Sequence, residues 1–126
     1  MKSPFPEAKG GSVRDDLVAM LTVMCADKSD PRKARRYALL LGEGQKYPRL
    51  MARYKETVVE PRHDAIRAVI SRGIGTGELR AGTDVEIALL TLTGTVLAKE
   101  KAADGSLDGD FAARIVDELL LGLAAR

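Results

Sequence analysis

One cysteine and one histidine stand in a chain of 126 residues. The single thiol, Cys25, cannot close a disulfide within the chain. A domain of this length buries enough surface to fold without such a staple. Cys25 sits at an apolar helical position and reads as a small core hydrophobe in a reducing compartment. One histidine and one cysteine make no metal cluster. His63 has Asp64 beside it in sequence, but neighbours on a helix point about 100° apart, so the pair is not a catalytic dyad. The paired acids Asp15-Asp16 fit the positive end of a helix better than acid–base work. The sequence therefore predicts no catalytic residue, no enzyme, no metal and no cofactor.

Long apolar runs are also missing. The longest uncharged stretch, 87–98, falls short of the ~20 residues that span a bilayer. Residues 1–11 hold Pro4, Pro6, Gly10 and Gly11 and no apolar core of a leader, so they read as a linker or disordered segment before a domain at 12–126. The expectation is a soluble, cytoplasmic protein without a membrane partner. No alternating strand pattern and no internal repeat appears. The run Gly73-Ile74-Gly75-Thr76-Gly77 has the look of a phosphate loop, but such a loop opens a helix and this one closes a helix.

What is present is helical periodicity. The spacing predicts a helix over 13–26, capped by Ser12, with Leu17, Met20, Leu21, Met24 and Cys25 on one face. A second starts at Asp30-Pro31 and runs to about Leu41, stopped by Gly42 and Gly44. A third spans about 48–72 and carries Pro61, which predicts a kink or a break. Thr83-Asp84-Val85-Glu86 reads as a capping box for a fourth helix that continues to about Lys101. A fifth follows Asp108 or Asp110 and reaches about Ala124.

The last two helices are apolar around most of their circumference. A lone domain of this size cannot cover two such surfaces, which predicts pairing of those helices with a second copy. Candidate interface residues are Leu92, Val96, Phe111, Ile115, Leu119 and Leu123. Met20, Met24, Tyr37, Met51, Tyr54, Val58 and Thr93 are read either as ordinary core or as the lining of a small-molecule cavity, since methionine adapts to irregular shapes and tyrosine joins an apolar body to a polar tip.

Net charge is +2, but Lys28 to Lys55 holds nine basic residues against Asp30 and Glu43. Such a segment is either a solvated helix face or a surface that attracts polyanions.

Several stretches in order carry a resemblance. They are Ser12-Val13-Arg14-Asp15-Asp16-Leu17, Pro61-Arg62, Arg72-Gly73-Ile74, Gly77-Glu78-Leu79-Arg80, Thr83-Asp84-Val85-Glu86, and 111–123 with Ile115-Val116-Asp117 and Leu119-Leu120-Leu121-Gly122-Leu123. Over about residues 12–124 the chain resembles the C-terminal effector-binding and dimerisation domain of tetracycline-repressor (TetR) family transcription regulators. The resemblance implies an all-α bundle and a homodimer joined by the last two helices. It also implies a small apolar or amphipathic effector in a cavity among the earlier helices, whose binding relieves DNA binding. The helix-turn-helix head and connecting helix of that family have no counterpart in residues 1–11, so operator DNA is expected as a partner only through a missing N-terminal part. The alternative is a stand-alone helical binding protein for apolar small molecules.

Overall fold

Ser12, in extended backbone, starts the first helix. Its hydroxyl accepts the Asp15 N–H at 3.0 Å, and Asp15 and Asp16 add acid to the first turn. The computed structural model describes residues 5, 6, 8, 10–32, 35, 39, 42, 46–102 and 108–125. Helix α1 covers Val13–Ser29, three residues beyond its expected end. Val13, Leu17, Met20, Leu21 and Cys25 form its buried stripe.

The expected second helix falls largely outside the described residues. Pro31, Arg32, Arg35, Leu39 and Gly42 are helical, so Gly42 does not act as the stop expected of it. Asp30 caps the start, its carboxylate accepting the Arg32 N–H at 2.9 Å.

The long third segment is one continuous helical rod of three parts. Helix α2 is Pro48–Tyr54, a π-helical turn covers Lys55–Val59, and α3 is Glu60–Thr76. Pro61 explains the middle part. It has no N–H to give the carbonyl four residues back. The backbone widens by one residue, and the Glu60 N–H reaches back to the Lys55 carbonyl. The π turn thus takes up the defect that the sequence predicted as a kink or break.

The end of α3 lies four residues past the expected Arg72. Gly77 terminates it with φ of 84°, a left-handed conformation that suits glycine. Gly73 serves a different purpose. A Cβ there would stand 2.8 Å from Val13 Cγ2 and 2.9 Å from Leu79 Cγ, so the missing side chain lets α1 and the following turn close onto α3. The glycine run is a helix end, as its position in the sequence implied.

Helix α4 covers Val85–Ala102 and α5 covers Gly109–Leu121. The capping box is not formed as read. Asp84 is the cap, accepting the Ile87 N–H at 3.1 Å. The Thr83 hydroxyl instead donates to the Arg80 carbonyl at 2.6 Å, and Glu86 turns to Arg67 at 2.8 Å. Asp108 caps α5 through the Phe111 N–H at 2.9 Å. The helix stops at Leu121, where Gly122 has φ of 74°.

Helix α1 packs against α3, α4 and α5, and α4 also touches α3 and α5. The core between them is aliphatic, with Leu17, Leu21, Ile66, Ile70, Leu89, Leu92 and Val116 sealed from solvent. All the regular structure among the described residues is helical. The domain is all-α, as expected.

Charged contacts tie the segment before α1 to α3. Arg72 donates to Asp16 Oδ2 at 2.7 Å and to the Gly11 carbonyl at 2.9 Å. Glu78 accepts the Val13 N–H at 3.0 Å. At the other end of α3, Arg62 pairs with Asp27 and lies 5.2 Å from the Phe5 ring centroid. Helices α1 and α3 are therefore antiparallel.

Candidate functional site

Helix α4 has two apolar faces. Ala88, Leu89, Leu92, Thr93 and Val96 are buried in the chain's own core. On the opposite side Ile87, Leu90, Thr91, Gly94, Thr95 and Ala98 are all exposed. Their spacing of 0, 3, 4, 7, 8 and 11 residues is that of one continuous helical stripe. Ile87 is 59% and Leu90 57% exposed, too much for apolar side chains of their size to count as incidental when they are neighbours.

The small residues of the stripe are suited to contact. Thr91 donates its hydroxyl to the Ile87 carbonyl at 2.7 Å, and Thr95 donates to the Thr91 carbonyl at 2.6 Å. Both hydroxyls are satisfied within the helix and need no water or partner. Nothing lies within 4 Å of where a Gly94 side chain would stand. The stripe carries no charged residue, and a second helix could approach it closely.

Helix α5 differs from expectation. Its apolar residues do not wrap it. Ala112, Ile115 and Val116 are buried on one side, while Asp110, Arg114, Asp117 and Glu118 run down the other. Asp117 bridges to α1, accepting from Arg14 Nε at 2.7 Å and Nη2 at 3.2 Å. That pairing holds the Asp117 carboxyl below its ordinary range and raises Arg14. Leu121 and Leu123, 71% and 90% exposed, extend apolar surface past its end.

These positions correct the expected interface. Leu92 and Val96 have no exposed surface, and Ile115 has 8%. All three are used within the single chain and have nothing to give a partner. Phe111 and Leu119 are half-buried and pack on the same core, with Lys99 5.7 Å from the Phe111 ring centroid. Of the six expected residues only Leu123 stands free. Leu92 and Val96 lie on the inner side of α4. An all-apolar helix gives no polar face from which to tell its inner from its outer side.

The expected cavity residues have different settings. Met20 is enclosed in the core, and Met24 packs against it from α1. Thr93 is buried, its hydroxyl bonded to the Leu89 carbonyl at 2.9 Å. Met51, Tyr54 and Val58 are half-buried on α2 and the π turn, a stretch with no fully buried residue. The main packing of α2 is against the π turn that continues it. Tyr37 lies outside the described residues.

The remaining titratable groups have structural settings. Arg67 bridges Asp64 at 2.8 Å and Glu86 at 2.8 Å, which joins α3 to α4. The hydrogen bond to Arg67 lowers the Glu86 pKa. Burial, aided by the charge of Asp108, pushes the Cys25 thiol up to about 11. That is the setting of an inert core thiol rather than a reactive one. Among the described residues no group of histidine, cysteine and carboxylate side chains could hold a metal ion. No described helix is long and apolar enough to cross a membrane.

Comparison with known proteins agrees with this architecture. Residues 8–119 match the family described as Tetracyclin repressor-like, C-terminal domain. Comparison with curated proteins returns no match. Among solved structures, the crystal structure of the TetR family transcription regulator SCO0332 is similar, with a TM-score of 0.81 and 23% identity over 96% of this chain. At that identity the likeness is one of fold. The chain spans 66% of the length of that regulator.

Proposed function

The chain belongs to the tetracycline repressor-like C-terminal domain family, and from that membership we propose that it is the regulatory domain of a transcriptional repressor, pairing with a second copy and sensing a small molecule. The observation that carries this reading is the outward stripe of α4. A charge-free face of Ile87, Leu90 and small residues finds its best cover in the same face of another copy, related by a twofold axis. Two α4 helices and the ends of two α5 helices then form a four-helix contact. Gly94 and Ala98 allow the helices close approach, and Leu121 and Leu123 add apolar area at the rim.

The effector is an apolar or amphipathic small molecule, and the half-buried Met24, Met51, Tyr54 and Val58 are the residues we assign to it. They have the adaptability the role needs, and the π turn between Tyr54 and Glu60 is a place where a helix can shift register at low cost. DNA reading belongs to a part of the protein outside residues 12–126. A ligand that prefers the DNA-incompetent arrangement weakens operator binding through linkage, by about 1–3 kcal/mol in typical systems.

Sedimentation velocity across the micromolar range tests the pairing. A dimer that dissociates only on dilution is expected. A chain that remains monomeric at every concentration defeats the regulatory reading, because the α4 stripe then has another purpose.

A further inference from the structure

The arginines of this domain fall into two sets. Arg14, Arg62, Arg67 and Arg72 each hold at least one carboxylate, and together they fasten α1, α3, α4 and α5. Lys46, Arg49 and Arg53 are exposed and engage no carboxylate among the described residues. Arg49 and Arg53 stand one turn apart on α2, and Lys46 precedes its first turn. Arg32 and Arg35, also exposed, come from the same basic segment. Positive charge is thus neutralised where it braces the fold; Arg80 and Arg114 are exposed too, but singly, whereas Lys46, Arg49 and Arg53 fall close together in the chain.

The surface between these cations is shallow. Lys46, Tyr47, Pro48, Arg49 and Leu50 line an open groove of about 390 Å³, in which Tyr47 and Leu50 are 52% and 53% exposed. From Arg49 to Arg53 the helix advances about 6 Å, at ~1.5 Å per residue, and Lys46 stands just before it. Long side chains over that span reach two or three successive phosphates of a nucleic-acid strand, set ~3.4 Å apart along a duplex axis.

Gly11 lies at Arg72 and Phe5 at Arg62, the end of α3 nearer α2. Arg53 lies about 13 Å further along the rod from Arg62.

We infer that the α2 end of this domain, through Lys46, Arg49 and Arg53, binds duplex DNA by its phosphates, without regard to sequence. The inference does not depend on the pairing of α4. Duplex DNA is favoured over a lipid surface because α2 has seven residues and one strongly exposed large apolar side chain, Leu50, with Tyr47 just before it, too little to seat a helix in a membrane interface. It is favoured over a small anion because the groove is open and its cations are strung in a row. The contact holds the regulator near DNA and adds to affinity, and it leaves the choice of site to other residues.

The test uses the 126-residue protein and a fluorescent duplex of arbitrary sequence, read by anisotropy. Binding in the micromolar range at about 50 mM salt is expected, falling steeply by about 200 mM, with a log–log slope near −3 for three phosphates. The double variant Arg49→Glu, Arg53→Glu should bind at least about tenfold more weakly. Arg80→Glu, Arg114→Glu makes the same change in net charge at exposed sites elsewhere and should retain most of the affinity. Circular dichroism and melting confirm that both variants are folded. Absence of binding at low salt overturns the inference. So does an equal loss in the two double variants, a salt-independent signal, or preference for phosphatidylserine vesicles over DNA. Sedimentation on the same samples separates this outcome from failure of the dimer.

Discussion

Cys25 shows how much a single position inherits from its surroundings. Its side chain is closed off by the α1 stripe and the helices packed on it, and burial raises the thiol to about 11. The sign of the consequence follows from linkage. The unfolded chain ionises its thiol near 9.0, before the native chain does. The thiol's contribution to stability is complete below that value and is lost as pH rises toward the native one. The native protein should therefore react slowly with a thiol reagent such as iodoacetamide at neutral pH, and rapidly once denatured. Replacing Cys25 by alanine should reduce the fall in melting temperature seen on raising the pH from about 9 to 10. Rapid labelling of the folded protein would mean that the α1 face opens far more readily than its packing implies. The same position was readable from sequence, since a lone cysteine on an apolar helical stripe has few other settings. Gly73 was not. Its contact with Val13 and Leu79 joins residues far apart in sequence, and only the folded chain brings them together.

At the scale of elements, the sequence announced where helices start better than where they end or how they are capped. Ser12 is the cap as read, because a short polar side chain before an apolar stripe has one good use there, and of the two starts left open for the last helix, Asp108 or Asp110, the fold uses Asp108. Thr83 and Glu86 fit the capping-box pattern equally well and are not used so. Asp84 competes for the same N–H groups from one residue on, and Arg67, on a different helix, offers Glu86 a charged partner. The three readings separate by substitution. Asp84→Ala should cost about 1 kcal/mol, the usual worth of a cap, and Thr83→Ala clearly less, as measured by urea unfolding. Equal losses would restore the threonine as the cap. Pro61 teaches a similar lesson. A proline inside a helical pattern signals a local defect, but whether the rod bends, breaks or widens depends on what packs beside it. Here it widens into the Lys55–Val59 π turn and the rod continues. The all-helical class was legible from periodicity alone. The cavity residues were not assignable, since methionine and tyrosine on an amphipathic face serve core and ligand alike.

At the scale of the whole molecule, the central question is which side of α4 meets a partner. Apolar residues at 87–98 occupy the full circumference, so composition predicted an interface while giving no means to orient it. The fold covers one side and leaves the other exposed. Leu92 is fully enclosed by the chain itself and Leu90, two residues away, is 57% exposed. The two leucines therefore make opposite predictions. Leu90→Asp places a charge in the middle of the proposed twofold contact, where it would meet its own symmetry mate across an apolar face. It should convert the dimer to monomer in sedimentation experiments while leaving the helical content of each chain intact. Leu92→Ala leaves the outward stripe untouched but opens a cavity in the aliphatic core. It should cost about 2–5 kcal/mol in unfolding free energy without altering the assembly of the chains that remain folded. If Leu92→Ala dissociates the dimer and Leu90→Asp does not, the partner lies against a different surface, and α4 has the inside and outside that the sequence first implied. If both chains remain dimeric, the exposed Leu121 and Leu123 become the next place to put a charge, because they are the most exposed large apolar side chains among the described residues.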